Sequence, residues 1–189
     1  ADAYYQFAAL DPSRTYRVHL DAGDAAYLSL SVYEGPDDGQ PAEGIVGCLR
    51  IGDMEANSDG SYDIVLSADE HPGNWIQLSP ESHAAITRDY LGDPFIDRRA
   101  VWTIEADDPP STTRITDEDM ARRFRAATTW IKEQSGITPV PAIGDPNTMQ
   151  EPLPMGAITY GWGASDASYG MGNYALEDDE ALIIDGTSP

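Results

Sequence analysis

Between residues 16 and 106, apolar and polar residues alternate with period two in short runs, a pattern that suits strands with one face buried and the other solvated. Tyr16, Val18 and Leu20 alternate with Arg17 and His19, and Leu28, Leu30 and Val32 with Ser29 and Ser31. Further strand-like runs occupy 45–51, 62–67, 75–78, 84–90 and 100–106. Turn-forming clusters separate them: Glu34-Gly35-Pro36-Asp37-Asp38-Gly39, Asn57-Ser58-Asp59-Gly60 and His71-Pro72-Gly73-Asn74. The second is a strong hairpin signal, because Asn, Asp and Gly tolerate positive φ. Seven or so strands at a spacing of about ten residues predict a mainly β protein, an antiparallel β-sandwich of jelly-roll-like form. A chain of 189 residues with 41% hydrophobic residues has enough apolar surface for one core.

The pattern changes at Asp107-Asp108-Pro109-Pro110. Thr116 is a good N-cap, followed by Asp117, Glu118 and Asp119 in the turn where a helix dipole favours anions. Ile115 is placed to staple against Met120. Met120, Phe124, Ala127, Trp130 and Ile131 form an apolar stripe, and Gly136 ends the helix. The expected organisation is a β-sandwich core over 1–110, a helix over 111–136 packed on the sheet through that stripe, and a Pro-, Gly- and aromatic-rich extension over 137–189. Within the extension, Tyr160, Trp162, Tyr169 and Tyr174 sit among glycines, and the apolar run 181–184 reads as a terminal strand in need of a partner.

Acidic residues outnumber basic ones 33 to 11, for a net charge of −22, and Lys132 is the only lysine. Such a surface repels phosphate backbones, which argues against a nucleic-acid partner. No apolar run approaches the length of a membrane span. The acidity fits either a compositional bias toward Asp and Arg or an adaptation that keeps a protein dispersed at high salt. Cys48 is the sole cysteine, so no intrachain disulfide is expected; its apolar neighbours suit a buried thiol. The chain starts at Ala1 with no leader-like segment, so a processed or partial chain is expected, and both a cytoplasmic and an exported location stay open.

Motifs for particular chemistry are sparse. Glu55-Ala56-Asn57-Ser58-Asp59-Gly60 resembles the opening of a calcium loop, but Leu66 falls where the bidentate Glu belongs. Gly163-Ala164-Ser165-Asp166-Ala167 lacks the final glycine of a nucleophile elbow. No Gly-rich phosphate loop precedes a helix, and no cofactor is expected. His71 and His83 flank a predicted strand, with Asp69 and Glu70 nearby, so a transition-metal site is a weak alternative. The aromatic-glycine stretch is the most suggestive feature: Tyr160 and Trp162 offer flat apolar faces with polar tips, suited to sugars or other amphipathic ligands.

One order of residues is more specific. Asn57-Ser58-Asp59-Gly60-Ser61-Tyr62-Asp63-Ile64-Val65-Leu66-Ser67 leads into Pro72-Gly73-Asn74-Trp75-Ile76 and then Ile86-Thr87-Arg88-Asp89-Tyr90. This resembles the bacterial domain-of-unknown-function family 1214, over about residues 4 to 106. Tyr4-Tyr5 and Asp11-Pro12-Ser13-Arg14-Thr15-Tyr16-Arg17 are similar to the start of its longer members. The resemblance implies a β-sandwich, with this chain matching the first of two related halves. It also implies that Asn74, Trp75 and Arg88 are the matched motif positions, with Arg88 stacked on Trp75 as a structural clamp or the two lining a pocket.

Three functions are compatible with these features. The first is a β-sandwich that binds a small amphipathic or carbohydrate-like ligand through Asn74, Trp75, Arg88, Tyr160 and Trp162. The second is an assembly subunit that completes its sheet with a second chain or second half. The third is a metal-dependent enzyme using His71 and His83.

Overall fold

The computed structural model describes residues 3–108, 115–136, 144–154 and 162–185. Among them are β1 (Tyr4–Ala9), β2 (Tyr16–Asp21), β3 (Ala25–Glu34), β4 (Gly44–Arg50), β5 (Tyr62–Ser67), β6 (Trp75–Gln77), β7 (Ser82–Leu91), β8 (Val101–Ala106), helix α1 (Asp117–Gly136), β9 (Leu153–Pro154) and β10 (Ser168–Tyr169). Two four-stranded sheets form, in the orders β1-β7-β3-β4 and β6-β5-β2-β8, with β9 and β10 as a separate two-stranded ribbon. The protein is therefore mainly β, built on two sheets, with one helix among the described residues.

The core lies between the sheets. Leu28, Leu30 and Val32 of β3 meet Tyr16, Val18 and Leu20 of β2 and Ile64 and Leu66 of β5. In β2 the alternation maps directly onto burial: Tyr16, Val18 and Leu20 are buried, while Arg17, His19 and Asp21 are exposed. β3 behaves differently. Ser29 and Ser31, at 0% exposure, are as buried as Leu28 and Leu30 beside them, because a later part of the chain covers the outer face of the first sheet. At one edge of the sandwich β4 closes on β6: a Cβ on Gly47 would lie 2.8 Å from Ile76 Cγ2, so only glycine permits this approach.

Four expectations are corrected. The Asn57–Gly60 turn forms, with the Gly60 N–H donating to Asn57 O (3.0 Å) and Gly60 at φ +86°. It does not join a hairpin, however, because β4 pairs with β3 and β5 pairs with β2 in the other sheet. The turn is instead part of the corner by which the chain changes sheets. Second, the sandwich is not wholly antiparallel: β5 and β6 run parallel, with Val65 opposite Trp75. Third, residues 181–185 form no strand, and Ile183 and Ile184 stay largely exposed. Ile183 and Ile184 line a pocket with Met149 and Tyr174.

The fourth correction concerns α1. Its capping matches expectation: the Asp119 N–H donates to Thr116 Oγ1 (3.1 Å), and the Thr116 N–H donates back to Asp119 Oδ2 (3.1 Å), a reciprocal box that occupies two otherwise orphaned donors. Its packing does not match. No helix residue is buried, and Phe124 is 67% exposed. The helix rests on the 35–40 loop, where Gly39 (φ +92°) lies so close to the Ala126 carbonyl that a Cβ there would collide with it. A cavity separates the helix from the sheet, so the stripe never reaches the core. Phe124→Ala is accordingly expected to change stability by no more than about 0.5 kcal/mol, and Leu30→Ala to lower it by about 2–5 kcal/mol. Urea unfolding of both variants checks this; equal losses would return the helix stripe to the core.

Candidate functional site

Three strands and a strap build the most developed site. The outer face of the first sheet presents Tyr27, Ser31 and Tyr33 from β3, Ile86 and Arg88 from β7, and Tyr5 and Phe7 from β1; the register sets Arg88 opposite both Ser29 and Tyr5. Residues 162–167 cross this face. Arg88, only 3% exposed, holds them down. Its Nη1 donates to Ser31 Oγ (3.2 Å), and its Nη2 donates to Tyr33 Oη (2.7 Å) and to the carbonyls of Trp162 (3.1 Å) and Gly163 (3.3 Å). Tyr33 Oη in turn donates to Gly163 O (2.7 Å). Burial raises the Tyr33 phenol above its ordinary pKa, against the pull of Arg88, which keeps that donor protonated. At the far end of the strap, Tyr27 Oη donates to Asp166 Oδ2. Burial first, and this bond second, raise the Tyr27 phenol.

The strap seats Trp162. Its ring meets Tyr33 (5.2 Å between centroids), His83 (5.5 Å) and Phe7 (6.0 Å), all edge-on, the geometry that aromatic quadrupoles favour. Between Trp162, the sheet, the 36–40 loop and α1 lies a cavity of about 600 Å³. Phe7, Trp130 and Trp162 supply its aromatic lining, and Asp37, Gln40 and His83 its polar groups. His83 Nδ1 is buried with no well-formed hydrogen bond. Burial lowers the His83 pKa below 6.5, only partly opposed by Asp37 and the Glu81 backbone, so the imidazole is neutral at pH 7.

The sequence candidates divide between structure and site. Arg88 and Trp162 are brought together. Trp75 lies in the other sheet, where its Nε1–H donates to Ser67 Oγ (2.9 Å). The expected Arg88–Trp75 stack is therefore replaced: the guanidinium lies over Tyr5 (5.8 Å) and Tyr33 (6.0 Å). Asn74 is a structural staple. Its Nδ2 donates to Glu55 O (2.9 Å) and Asp63 O (3.0 Å), its Oδ1 accepts from the Glu55 N–H (2.7 Å), and its own carbonyl accepts from the Val65 N–H (2.9 Å). Asn74 and Trp75 thus build the parallel β5–β6 connection, away from the cavity. Tyr160 lies outside the described residues. His71 bonds the Pro72 carbonyl beside it (2.9 Å), while His83 sits under Trp162 on the first sheet, so the two are not brought together. Among the described residues no group of three or more His, Cys, Asp or Glu is assembled for a metal. Phe7, Tyr33, Asp37 and Asp166 were not legible as site residues, because each comes from a different element and no local pattern links them.

The architecture defines a class, the two-sheet β-sandwich, here with one outer face strapped over. The family model described as "Protein of unknown function (DUF1214)" matches residues 5–94, so the first part of the chain resembles that family. Among solved structures, an uncharacterised protein from Burkholderia cenocepacia is 26% identical with a TM-score of 0.64, covering 86% of this chain and 46% of its own. The VPA0106 protein from Vibrio parahaemolyticus is 21% identical with a TM-score of 0.42, covering 57% of this chain and 31% of its own. The chain spans less than half the length of either. Among curated proteins none matches it. No helix among the described residues is long and apolar enough to cross a membrane.

Two outcomes are expected. Arg88→Leu removes the donor to a buried phenol, a serine and the Trp162 carbonyl and leaves the Gly163 carbonyl to Tyr33 alone, and should lower stability by about 2–4 kcal/mol while hydrogen exchange quickens at 163–167; a change in stability without loosening of those amides would contradict the strap's dependence on Arg88. For His83 the sign follows from its lowered pKa. Between that lowered value and 6.5 the unfolded state binds the extra proton, so this residue's contribution makes stability rise with pH across that window. Thermal unfolding from about pH 5 to about pH 7.5 should show wild type gaining on His83→Gln as pH rises; parallel profiles would refute the burial effect.

Proposed function

We propose that this protein binds a small amphipathic molecule in the cavity between α1 and the first sheet. The observation that carries the reading is the cavity itself: about 600 Å³, with Phe7, Trp130 and Trp162 as its aromatic lining and a few converging polar groups. Both its size and its mixture of apolar walls with sparse polar groups are those of small-molecule sites. The lining favours an apolar body with one polar end over a sugar, which would need more donors and acceptors than Asp37, Gln40 and His83 supply. Trp162 couples the cavity to the strap, so a ligand there would meet a wall fixed by Arg88.

Two of the four tryptophans line this cavity, so intrinsic fluorescence reports on it directly. 4-Phenylbutanol is expected to give a saturable change in wild type, weakened about tenfold or more in Trp162→Ala. No saturable change in wild type, or equal binding by the variant, would remove the proposal.

A further inference from the structure

We infer that the ligand of this cavity is an organic cation: an ammonium group carried on an apolar body. The inference rests on the pocket reading above and adds the charge of the molecule that fits. Three independent features point the same way. Asp37 is the only charged side chain among the described residues lining the cavity. The one titratable base among those described residues, His83, is held toward its neutral form by partial burial, so none of them offers an anion a cationic partner. The remaining walls include the rings of Phe7, Trp130 and Trp162, and aromatic faces attract cations through their quadrupoles, most strongly where water is displaced. The chain's net charge of −22 adds a long-range field of the same sign, concentrating cations near the surface.

Asp37 already has a partner. Arg122 Nη1 on α1 donates to Asp37 Oδ2 at 3.1 Å, at the side of the cavity where the helix meets the loop. That pair is well exposed, with Asp37 at 78% and Arg122 at 51% of their free side-chain areas. Exposed pairs of this kind are weak and exchange readily. A ligand ammonium entering from the cavity can take the place of Arg122 on the carboxylate, or share it through the second oxygen. An anionic ligand would instead have to lie beside Asp37 with a neutral imidazole opposite.

The experiment uses three probes that share one apolar body and differ only in the charged end: 4-phenylbutylamine, 4-phenylbutanol and 4-phenylbutyrate. Binding is measured by tryptophan fluorescence and calorimetry at about 150 mM salt, where the general field is largely screened beyond about 8 Å. The amine is expected to bind at least about tenfold tighter than the alcohol, and the carboxylate more weakly than both. Asp37→Asn should remove most of the amine's advantage and leave the alcohol unchanged, while Trp162→Ala weakens amine and alcohol together. Alcohol binding as tight as the amine, or carboxylate binding tighter than either, overturns the cation but leaves an amphipathic site standing. An amine preference as large in Asp37→Asn as in wild type also overturns it, because the one carboxylate among the described lining residues would then play no part in it. Failure of all three probes to bind removes the pocket reading and the inference together.

Discussion

Arg88 is a cation held in the interior by neutral partners: a serine, a phenol and two peptide carbonyls. A buried guanidinium is tolerable only if its donors are occupied, because burying an unpaired charge costs far more than any single contact returns. The sheet alone cannot occupy them. Two of the four acceptors belong to residues 162 and 163, more than seventy positions further along the chain. Satisfying Arg88 and laying the strap across the sheet are therefore one event. Through the strap, Arg88 also seats Trp162 against Phe7, Tyr33 and His83, and so forms a wall of the cavity without being one of its lining residues.

The same constraint explains the composition of β3. In a sandwich the outer face of each sheet usually meets water, which would leave Ser29 and Ser31 solvated. Here both are fully buried, and the small polar side chains leave room for the guanidinium and the strap above them. α1 does not join the layer. It is attached at the 35–40 loop, by the Gly39–Ala126 approach and the Asp37–Arg122 pair, and Trp162 occupies the sheet beneath it. The helix covers the face without filling it, and the cavity is what remains.

How much could be read in advance follows from how local each feature is. β2, β5 and the turns were legible because one buried face imposes a period of two on a few adjacent residues. β1 was not, since Tyr4-Tyr5-Gln6-Phe7-Ala8-Ala9 lies at a sheet edge with most residues open to solvent and shows no alternation. The helix ends were legible in Thr116 and Gly136, because capping is decided within a turn. What the helix packs against was not: a stripe of Met120, Phe124 and Trp130 records that one side is apolar but carries no information on its neighbour. Sheet membership was equally hidden, since the Asn57–Gly60 turn looks the same whether it closes a hairpin or a corner. Arg88 and Trp162 were both picked out, but for separate reasons. Their meeting depends on a pairing of distant segments that no local pattern encodes.

This division bears on what the resemblance to the 1214 family carries. The matched stretch, residues 5–94, contains the Asn57–Gly60 corner, the Asn74 and Trp75 connection and Arg88 itself, and it supplies Phe7, Asp37 and His83 to the cavity. Trp130 and Trp162 lie beyond it, as do both carbonyls that the guanidinium holds. A chain sharing only the matched stretch would inherit the sheet face and the buried cation, and with them the need for a cover bearing carbonyl or other neutral acceptors. The cover itself it would have to supply from its own later sequence. The frame of the site is thus set in the first part of the chain, and the shape of the cavity, with whatever selectivity it has, is completed by α1 and the strap.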